Sequence, residues 1–382
     1  MKDNRRIAIV QDLLIQSGGA EEVLREIKLL FPEAPVYTLV YDANFVPEDF
    51  RDWDIRPVGW SQRLPRIHRW YKYYMPLYPT MIEQMDLREF DLVISSSYLV
   101  AKGILTRSET LHLSYCHTPM RQAWELYFDY KHGYTQSGFF LKRDLFKFFY
   151  PIILNYVRMW DKLAADRVDY FACNSHETQK RISKFYRRDS EIIYPPVNLE
   201  NFTPVESSMQ GDFYLCLSRM VPYKRVDLAI SAFKRMGKPL YVAGDGPHLT
   251  QLMKDAGTNI KFLGRIDTQT KAELLSTCRA LVFPGREDFG IVPVEAQASG
   301  RPVIAYGVAG ARESVIEDKT GVFFMEQTED SLIEAVERFE KMDFDRGDIL
   351  QSARRFDRKV FQQKMRAWVD DKWREFEENL RG

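Results

Sequence analysis

The stretch FPGREDFGIVPVEAQASG, residues 283–300, joins the end of an apolar run to the start of a helical period. The run before it, RALVFPG (279–285), is typical of a buried strand, and glycines at 285 and 290 bound a turn. Strand, glycine-bounded turn and helix in this order form the repeating unit of a doubly wound α/β sheet. The stretch also places Glu287 before the helix and Glu295 inside it. A helix N-terminus attracts anions, so two carboxylates there would have to hold neutral, hydroxyl-rich parts of a ligand.

The same unit recurs along the whole chain. Short apolar runs alternate with helical stretches, and a polar break without periodicity, NFTPVESSMQGD (201–212), divides them into two sets. Runs that are apolar on both faces predict parallel sheets covered by helices on both sides. We therefore expect two doubly wound domains, followed by a long amphipathic helix from Arg358 to Leu380. The predicted strands are residues 6–11, 35–41, 91–97, 111–117, 169–175 and 191–197 in the first set, and 213–219, 239–246, 260–266, 279–285, 302–307 and 321–325 in the second.

Composition limits the class of protein. The 382 residues carry a formal net charge of zero, with 45% apolar and 28% charged residues, as in an ordinary globular protein of two domains. Zero net charge gives no global field for nucleic acid. The four cysteines are far apart and lie in apolar runs, which predicts buried free thiols in a reducing compartment. We find no signal peptide and no apolar run of transmembrane length, so we expect a cytoplasmic protein that could still attach to a membrane surface.

Strand ends are the places to look for ligands, because open α/β sheets bind them beyond the carboxyl ends of their strands. In the second half one strand ends at Arg219, and Lys224 is expected to open the helix KRVDLAISAF (224–233). Two cations there would clamp a phosphate, although either could be a solvated surface charge. The turn VAGDGP (242–247) adds a weaker signal.

Taken in order, these motifs resemble the retaining GT-B glycosyltransferases of family 4. The likeness is greatest to a bacterial subgroup that adds mannose during O-antigen or exopolysaccharide assembly. It implies an N-terminal acceptor-binding domain, 1–203, completed by a C-terminal helix, 358–382, that crosses back to it. A nucleotide-sugar domain, 204–357, would face it across a cleft. The matching motifs are SGGAEEVL (17–24), CHTPMRQAW (116–124), ACNSHETQKRI (172–182), IIYPPVNLENF (192–202), SRMVPYKRVDLAI (218–230), VAGDGP, FLGRI (262–266) and FPGREDFGIVPVEAQASGRPVIAYGVAGARESV (283–315).

The resemblance implies roles for individual residues. Arg219 and Lys224 would bind the donor diphosphate, Glu287 would contact the hydroxyls of the transferred sugar, and Glu295 would accept hydrogen bonds from the ribose. In the first domain, Gly18 and Gly19 would lie near the diphosphate and acceptor. His117 would lie near the sugar's 6-hydroxyl, although a lone histidine is often a core or capping residue. Asn174 and Ser175 would line the cleft, and the further donor-binding residues would be Gly244, Arg265, Asp288, Phe289, Gly290, Ile291 and Val292.

The implied chemistry needs no cofactor beyond the nucleotide-sugar substrate. A front-face displacement with retention is expected, and no metal is implied. Two Asp-x-Asp triplets, 52–54 and 343–345, are interpreted as surface charges because neither ends a convincing strand. His112 and His117 lie five apart on one strand and so point to opposite faces, which excludes a ligand pair.

Two segments could meet a membrane. The first, 60–79, interleaves four basic residues with aromatic residues at 60, 70, 71, 73 and 74 and has no acid, and the second is 139–160. Basic and aromatic side chains together suit an anionic interface at the inner face of the cytoplasmic membrane, where a lipid-linked saccharide acceptor would be found. The alternatives are a buried aromatic face and a nucleic-acid-binding patch.

The leading hypothesis is a mannosyltransferase that uses GDP-mannose. A UDP-sugar-dependent transferase of the same fold, a UDP-sugar epimerase and a nucleotide-sugar sensor without turnover remain alternatives. A NAD-dependent enzyme is disfavoured because no strand is followed by G-x-G-x-x-G. The sequence leaves the acceptor, the linkage and the oligomeric state open.

Overall fold

A computed structural model describes residues 4–16, 18–128, 143–206 and 209–381, with the side chains of 143–148 and 381 left aside. The chain forms two compact units. The first unit contains Met1–Asn174, Thr178–Ile193 and Gln362–Gly382, and the second contains Ser175–Glu177 and Tyr194–Phe361. The division falls between Ile193 and Tyr194, ahead of the boundary expected at 203. The functional domain limits drawn from the sequence stay a prediction.

Within the described residues, the first unit is built on a parallel sheet of seven strands. Its order is β3-β2-β1-β4-β5-β6-β7, which is doubly wound because the chain runs outward from β1 in both directions. The central strands β1, β4 and β5 are buried along their full length, as expected of strands covered on both faces. The strands are β1 (Ile7–Gln11), β2 (Val36–Thr38), β3 (Ile55–Pro57), β4 (Leu92–Ser97), β5 (Leu111–Cys116), β6 (Tyr170–Cys173) and β7 (Glu191–Ile192).

Helices cover both faces of this sheet. The longest described helix inside the unit, α4, contributes buried Leu154 and Val157 to the cores. A five-residue π-helical turn, Ile182–Tyr186, extends the helix after β6. The helices are α1 (Gly19–Leu30), α2 (Ile67–Trp70), α3 (Tyr78–Ile82), α4 (Arg143–Asp166) and α5 (His176–Arg181), with 3-10 turns at Glu48–Asp52, Ser61–Arg63, Tyr71–Leu77 and Ala101–Gly103.

The C-terminal helix α13 (Arg358–Arg381) joins the first unit from Gln362 onward. Asp370 accepts a hydrogen bond from Arg5 at 2.7 Å, and Gln362 donates to Glu26 at 2.5 Å. Trp368 is 4% exposed, so the helix also contributes apolar surface to the core. These contacts confirm the predicted return of the last helix to the first domain.

The second unit has a parallel sheet of six strands within the described residues, in the order β10-β9-β8-β11-β12-β13. Its central strands are buried among apolar side chains of the covering helices. The strands are β8 (Tyr214–Leu217), β9 (Leu240–Ala243), β10 (Ile260–Gly264), β11 (Leu281–Phe283), β12 (Val303–Tyr306) and β13 (Gly321–Phe324).

Side-chain caps fix several helices of the second unit. The hydroxyl of Thr328 accepts from the Ser331 N–H, and the carboxylates of Asp267 and Asp345 cap the helices that follow them. The helices are α6 (Val226–Met236), α7 (Leu249–Asp255), α8 (Thr268–Thr277), α9 (Ile291–Ala298), α10 (Ala311–Ser314), α11 (Glu329–Phe339) and α12 (Arg346–Arg354), with 3-10 turns at Leu199–Asn201 and Pro222–Lys224.

The predicted doubly wound class and all twelve predicted strands are confirmed. Strand β3 was missed, because its three residues follow the charged run RDWD and form an edge of the sheet. The four cysteines are buried and carry free thiols. None of the described helices is both long and apolar enough to span a bilayer.

Candidate active site

The loop after β11 is held in one conformation by glycine and aromatic packing. Gly290 has φ +85° and precedes helix α9, and a Cβ there would come within 2.9 Å of the Phe283 ring. Phe289 is 3% exposed, with its ring centroid 5.5 Å from that of Tyr194 and 5.1 Å from that of Phe356. The first N–H groups of a helix lack intrahelical acceptors. The N–H groups of Ile291 and Val292, at the start of α9, therefore have no intrahelical acceptors. Their binding of an anion stays a prediction.

Neighbouring loops pack against this one backbone to backbone. The Gly310 N–H donates to the Glu287 carbonyl at 3.0 Å, and Gly310 lies so close to Phe289 that a side chain would collide with its backbone. A Cβ on Gly285 would be 3.0 Å from the Lys224 backbone. The close approach of glycine to backbone in both places fixes the position of Glu287 relative to Lys224.

The glycine turn after β9 ties the next two strand ends together. Gly244 has φ +130° and its N–H donates to the Gly264 carbonyl at 2.7 Å. The Met220 N–H donates to the Asp245 carbonyl at 2.9 Å, and a Cβ on Gly246 would be 2.6 Å from the Met220 carbonyl oxygen. The loops that follow β8, β9 and β10 therefore form one connected edge. This edge carries the predicted residues Arg219, Gly244 and Arg265.

Lys224 lies before the helix, contrary to the prediction that it opens it. Pro222–Lys224 is a 3-10 turn, and Arg225 adopts a left-handed conformation with φ +52°, so α6 begins only at Val226. Arg225 then turns away to Gln327, whose Oε1 lies 3.3 Å from its Nη1.

Each of the two predicted carboxylates forms an ion pair with a lysine. The Lys224 ammonium is hydrogen-bonded to Glu287, and both side chains are less than one-fifth exposed. Lys271 Nζ donates to Glu295 Oε1 at 2.6 Å, and Glu295 is buried. Sequence reasoning missed Lys271, because only the packing of α8 against α9 reveals it.

The two predicted arginines at this edge differ from Lys224, which pairs with a carboxylate. Arg219 and Arg265 are exposed, and no acceptor in the described part of the chain lies within hydrogen-bonding distance of either guanidinium. Asp288, between Glu287 and Phe289, is buried. The unpaired Arg219 guanidinium can therefore meet an anion without first breaking an ion pair.

In the first unit, His117 follows β5 and is held by neighbours on both sides. Its Nε2 lies 2.8 Å from the Ser96 hydroxyl, and its carbonyl accepts from Asn174 Nδ2 at 3.0 Å and from the Thr178 hydroxyl at 3.2 Å. Asn174 thus positions His117. Ser175, also predicted, is buried and groups with the second unit.

His112 instead lies 3.0 Å from Ser95, so the two histidines serve opposite faces of the sheet as expected. Burial lowers the pKa of His112 to about 3, which leaves it neutral.

Gly18 and Gly19 begin helix α1, as predicted, and beside them lies a carboxyl group that the sequence did not single out. Glu21 is 1% exposed, and burial raises its pKa to about 7, only partly opposed by the N–H groups of Glu21 and Gly18. Ser17 of the same motif lies outside the described residues. An acidic residue in the first turn of a helix is normally exposed to solvent and stabilises the helix dipole. For this reason the sequence gives no signal that Glu21 is buried.

Metal ligands do not gather among the residues described: no group of three or more His, Cys, Asp or Glu could hold an ion there. Asp52 ends a 3-10 turn, Asp54 pairs with Arg56 at 2.7 Å, and Asp345 caps α12. The Asp-x-Asp triplets therefore have local structural uses.

The two segments singled out for a membrane expose apolar side chains. In 60–79, Trp60, Trp70, Tyr73 and Leu77 are between 36% and 41% exposed. For 139–160, residues 139–142 and the side chains of 143–148 lie outside the described part. The remainder of the segment, 149–160, exposes Phe149, Ile152, Tyr156 and Met159.

Comparison with known proteins shows which families and relatives this chain resembles. Residues 17–201 match the family model described as Glycosyltransferase Family 4, and residues 199–359 match Glycosyl transferases group 1. The chain is 26% identical to the alpha-1,3/1,6-mannosyltransferase ALG2 of Mus musculus, across 84% of each protein. It is 28% identical to a GDP-mannose-dependent alpha-(1-6)-phosphatidylinositol monomannoside mannosyltransferase of Mycobacterium tuberculosis, over 55% of this chain and 59% of the relative. It is 25% identical to O-antigen chain mannosyltransferase C of Escherichia coli, over 51% and 55%.

The fold also matches solved structures. The crystal structure of Anabaena Alr3699/HepE in complex with UDP-glucose superposes with a TM-score of 0.70 at 16% identity, covering 96% of this chain and 99% of that one. The predicted GT-B class, with two Rossmann-like domains, is thereby confirmed.

Proposed function

Because the chain is a glycosyltransferase, with a Glycosyltransferase Family 4 domain followed by a group 1 domain, we propose that it transfers mannose from GDP-mannose to a lipid-linked saccharide. The transfer retains the anomeric configuration and serves the assembly of a bacterial surface polysaccharide. The observation that carries the proposal is the edge of the second unit where Lys224 pairs with Glu287 just before α9 and Lys271 pairs with Glu295 inside it. The exposed Arg219 lies in the same loop as Lys224.

The edge fits a sugar diphosphate because it offers cations and N–H donors next to carboxylates. The N–H groups at the start of α9 and the Arg219 guanidinium bind the negatively charged diphosphate. Glu287 and Glu295 accept hydrogen bonds from hydroxyls of the transferred sugar and of the ribose, since carboxylates are acceptors and hydroxyls are donors.

Two lysines pair with the carboxylates proposed to bind the sugar and the ribose. Lys224 neutralises Glu287 until a donor arrives, and the β-phosphate then competes for its ammonium. Glu295 Oε1 is held by Lys271, which fixes the carboxylate so that Oε2 can accept from the ribose. Both carboxylates are therefore preorganised before the donor binds.

In the proposed reaction the acceptor hydroxyl oxygen bonds to the anomeric carbon on the face from which the diphosphate leaves. The bond from that carbon to the diphosphate breaks, and the hydroxyl proton passes to a β-phosphate oxygen. Arg219 and Lys224 stabilise the charge that develops on the leaving diphosphate. His117 contacts the sugar's 6-hydroxyl, and no metal or cofactor takes part.

Mannose is supported by the names of all three relatives, and guanine by one of them, the GDP-mannose-dependent enzyme. Two of the three match only about half of the chain. A UDP-sugar donor is the second candidate, because the similar fold of the Anabaena protein holds UDP-glucose.

The acceptor proposal rests on the exposed aromatic and basic segment 60–79. Arg63, Arg66, Arg69 and Lys72 are exposed beside its aromatic side chains, and the Arg66 guanidinium lies 5.3 Å from the Trp70 ring centroid. Such a surface suits the anionic inner face of the cytoplasmic membrane. Peripheral attachment there would bring the chain to a lipid-linked acceptor.

Calorimetric titration with GDP-mannose, GDP, UDP-glucose and UDP, without divalent metal, tests the donor. We expect GDP and GDP-mannose to bind at least tenfold more tightly than the uridine ligands. Tighter binding of UDP would retain the fold and the diphosphate site but overturn the guanine and mannose assignment.

A further inference from the structure

One side-chain amide joins two loops at the carboxyl edge of the second unit's sheet. Gln327 lies between β13 and α11 and is half-buried. Its Nε2 donates to the Pro284 carbonyl at 2.9 Å, and its Oε1 accepts from Arg225 Nη1 at 3.3 Å. The amide therefore connects the residue that follows Lys224 to the loop that carries Glu287.

This connection reaches across the sheet. The strand order places β11 and β12 between β8 and β13, so the loops after β8 and β13 do not follow neighbouring strands. The segment after β13 returns to the loop after β8 because α11 packs against α6 in one apolar core. The Ser231 hydroxyl of α6 also donates to Glu329, the first residue of α11. Gln327, two residues earlier, is thereby held beside the start of α6.

The two partners of Gln327 require an amide between them. A guanidinium only donates hydrogen bonds, and a carbonyl only accepts them. The side chain between Arg225 and Pro284 must therefore accept at one atom and donate at another, which an amide does and a carboxylate does not. Because Pro284 is buried, little water is available to replace a lost donor at its carbonyl.

The connection also holds a strained residue in place. Arg225 has a φ of +52°, in the left-handed region that costs energy for a residue with a side chain. Strained backbone persists only where its surroundings hold it. The Arg225 guanidinium contacts the Gln327 amide and, at 3.3 Å, the Asp227 carboxylate. Arg225 directly follows the 3-10 turn that ends at Lys224, so these contacts fix where that turn ends.

We propose that Gln327 is a positioning residue for Lys224. The proposal rests on the proposed function, in which the Lys224 ammonium stabilises the leaving diphosphate. Gly285 approaches the Lys224 backbone so closely that a Cβ on the glycine would be 3.0 Å from the lysine Cα. Gln327 holds the residue next to each of them, Pro284 and Arg225. The bridge therefore keeps the Lys224 backbone packed against the loop that follows β11.

The kinetic test uses Gln327→Leu, which removes both hydrogen bonds, with GDP-mannose as the donor. Loss of an interaction made only in the transition state lowers kcat without raising KM. We expect kcat to fall about tenfold through misplacement of Lys224, while KM changes by no more than about twofold. In a Lys224→Ala background the same substitution should lower kcat by no more than about twofold, since residues that act through one contact are not additive. A tenfold loss in both backgrounds would overturn the proposal.

The matched control is Asn259→Ala. The Asn259 amide also bridges two parts of the second unit, since it donates to the Phe233 and Lys238 carbonyls at 2.9 and 2.7 Å. It directly precedes β10 and so lies at the opposite edge of the parallel sheet. The control should lower the melting temperature and leave kcat and KM unchanged, and an equal loss of kcat there would overturn the proposal. If Gln327→Leu does not fold, Gln327→Glu, which keeps an acceptor for Arg225, replaces it in the same comparison.

Amide hydrogen exchange tests the bridge without a donor. The N–H groups of Lys224 and Arg225 donate to Val221 and Pro222 in the turn. We expect both to exchange faster in Gln327→Leu and at the wild-type rate in Asn259→Ala, and unchanged rates in Gln327→Leu would overturn the bridge whatever the donor is. If the wild type turns over UDP-glucose and not GDP-mannose, only the donor assignment fails, and the kinetic comparison is made with UDP-glucose. If it turns over neither, the proposed function fails and the exchange rates decide the bridge.

Discussion

The Lys224 ammonium and the Glu287 carboxylate are hydrogen-bonded to each other at the edge of the second unit, where both side chains are largely shielded from solvent. One residue is the proposed partner of the departing diphosphate and the other the proposed partner of the transferred sugar. Their pairing means that the donor exchanges an existing ion pair for contacts with its own phosphate and hydroxyls. Because each charge neutralises the other, neither is left unpaired in a largely buried position.

Replacing Lys224 by Ala should lower kcat about a hundredfold or more, because a charge partner of the leaving group is lost. Steady-state kinetics on GDP-mannose would measure the effect. Lys238→Ala is the matched control, since Lys238 also pairs with a glutamate of the second unit, Glu340 at 2.9 Å, away from the proposed site. If Lys224→Ala kept near wild-type turnover and intact donor binding, Lys224 would not stabilise the leaving group.

Glu295→Gln should weaken GDP binding by about 1.5–3 kcal/mol, because a charged acceptor for the ribose hydroxyls is replaced by a neutral one. Binding of 2′,3′-dideoxy-GDP should not change, since it lacks those hydroxyls. Calorimetry on both ligands gives the comparison, and Glu340→Gln serves as the remote carboxylate control. An equal loss for both nucleotides would argue that Glu295 supports the fold rather than the ribose.

Gly290→Ala should destabilise the second unit more than Gly264→Ala. Both glycines have positive φ, so each substitution costs about 1–2 kcal/mol in backbone strain. A Cβ on Gly290 must also displace the Phe283 ring, for about 1–3 kcal/mol more, whereas nothing lies within 4 Å of a Cβ on Gly264. Urea unfolding would rank the two variants. Equal losses of unfolding free energy in the two variants would show that the Phe283 ring moves aside at no cost.

Glu21→Gln should become more stabilising relative to the wild type as pH rises. The folded-state pKa of Glu21 is raised from 4.5 to about 7 by burial, so the wild type is most stable while this carboxyl is protonated and loses that stability as pH rises through 7. Glutamine does not titrate. The difference in unfolding free energy should grow by up to about 3 kcal/mol between pH 5 and pH 8.5. Parallel pH profiles for the two proteins would contradict the raised pKa of the buried Glu21 carboxyl.

Arg63→Gln with Arg69→Gln should weaken binding to phosphatidylglycerol vesicles by about 2 kcal/mol, at about 1 kcal/mol for each cation near the surface. Co-sedimentation at low salt would measure it, with phosphatidylcholine vesicles as the neutral comparison. Lys254→Gln with Lys341→Gln removes the same charge from the second unit and should have no effect. If the wild type itself fails to sediment at low salt, segment 60–79 is not a membrane surface.

The fold was predictable from sequence because its signals are local. Apolar runs such as Ile7–Gln11 end at small or polar residues, and glycines such as Gly290 mark turns that need positive φ. Strand β3 was not predicted, because three residues at the edge of a sheet and next to charged residues show no pattern of apolar positions. The start of α6 was misplaced because the left-handed conformation of Arg225 has no sequence signature.

The site was predictable only in part, for a different reason. Motif order predicts roles for Arg219, Glu287 and Glu295, whereas Lys271 belongs to an ordinary helical period and reaches Glu295 only through packing. Glu21 follows two glycines like many exposed first-turn acids, and only the folded structure shows that it is buried. Tertiary burial, which no local pattern encodes, decides both cases.

The most direct test of the central claim is to incubate the protein with GDP-α-mannose labelled with ¹³C at the anomeric carbon and a polyprenyl-diphosphate-linked saccharide, without added metal. NMR then reports the configuration of any product. The account predicts release of GDP and an α-configured mannoside. A β-configured product would contradict the retaining displacement. Transfer from UDP-glucose but not from GDP-mannose would contradict the proposed donor.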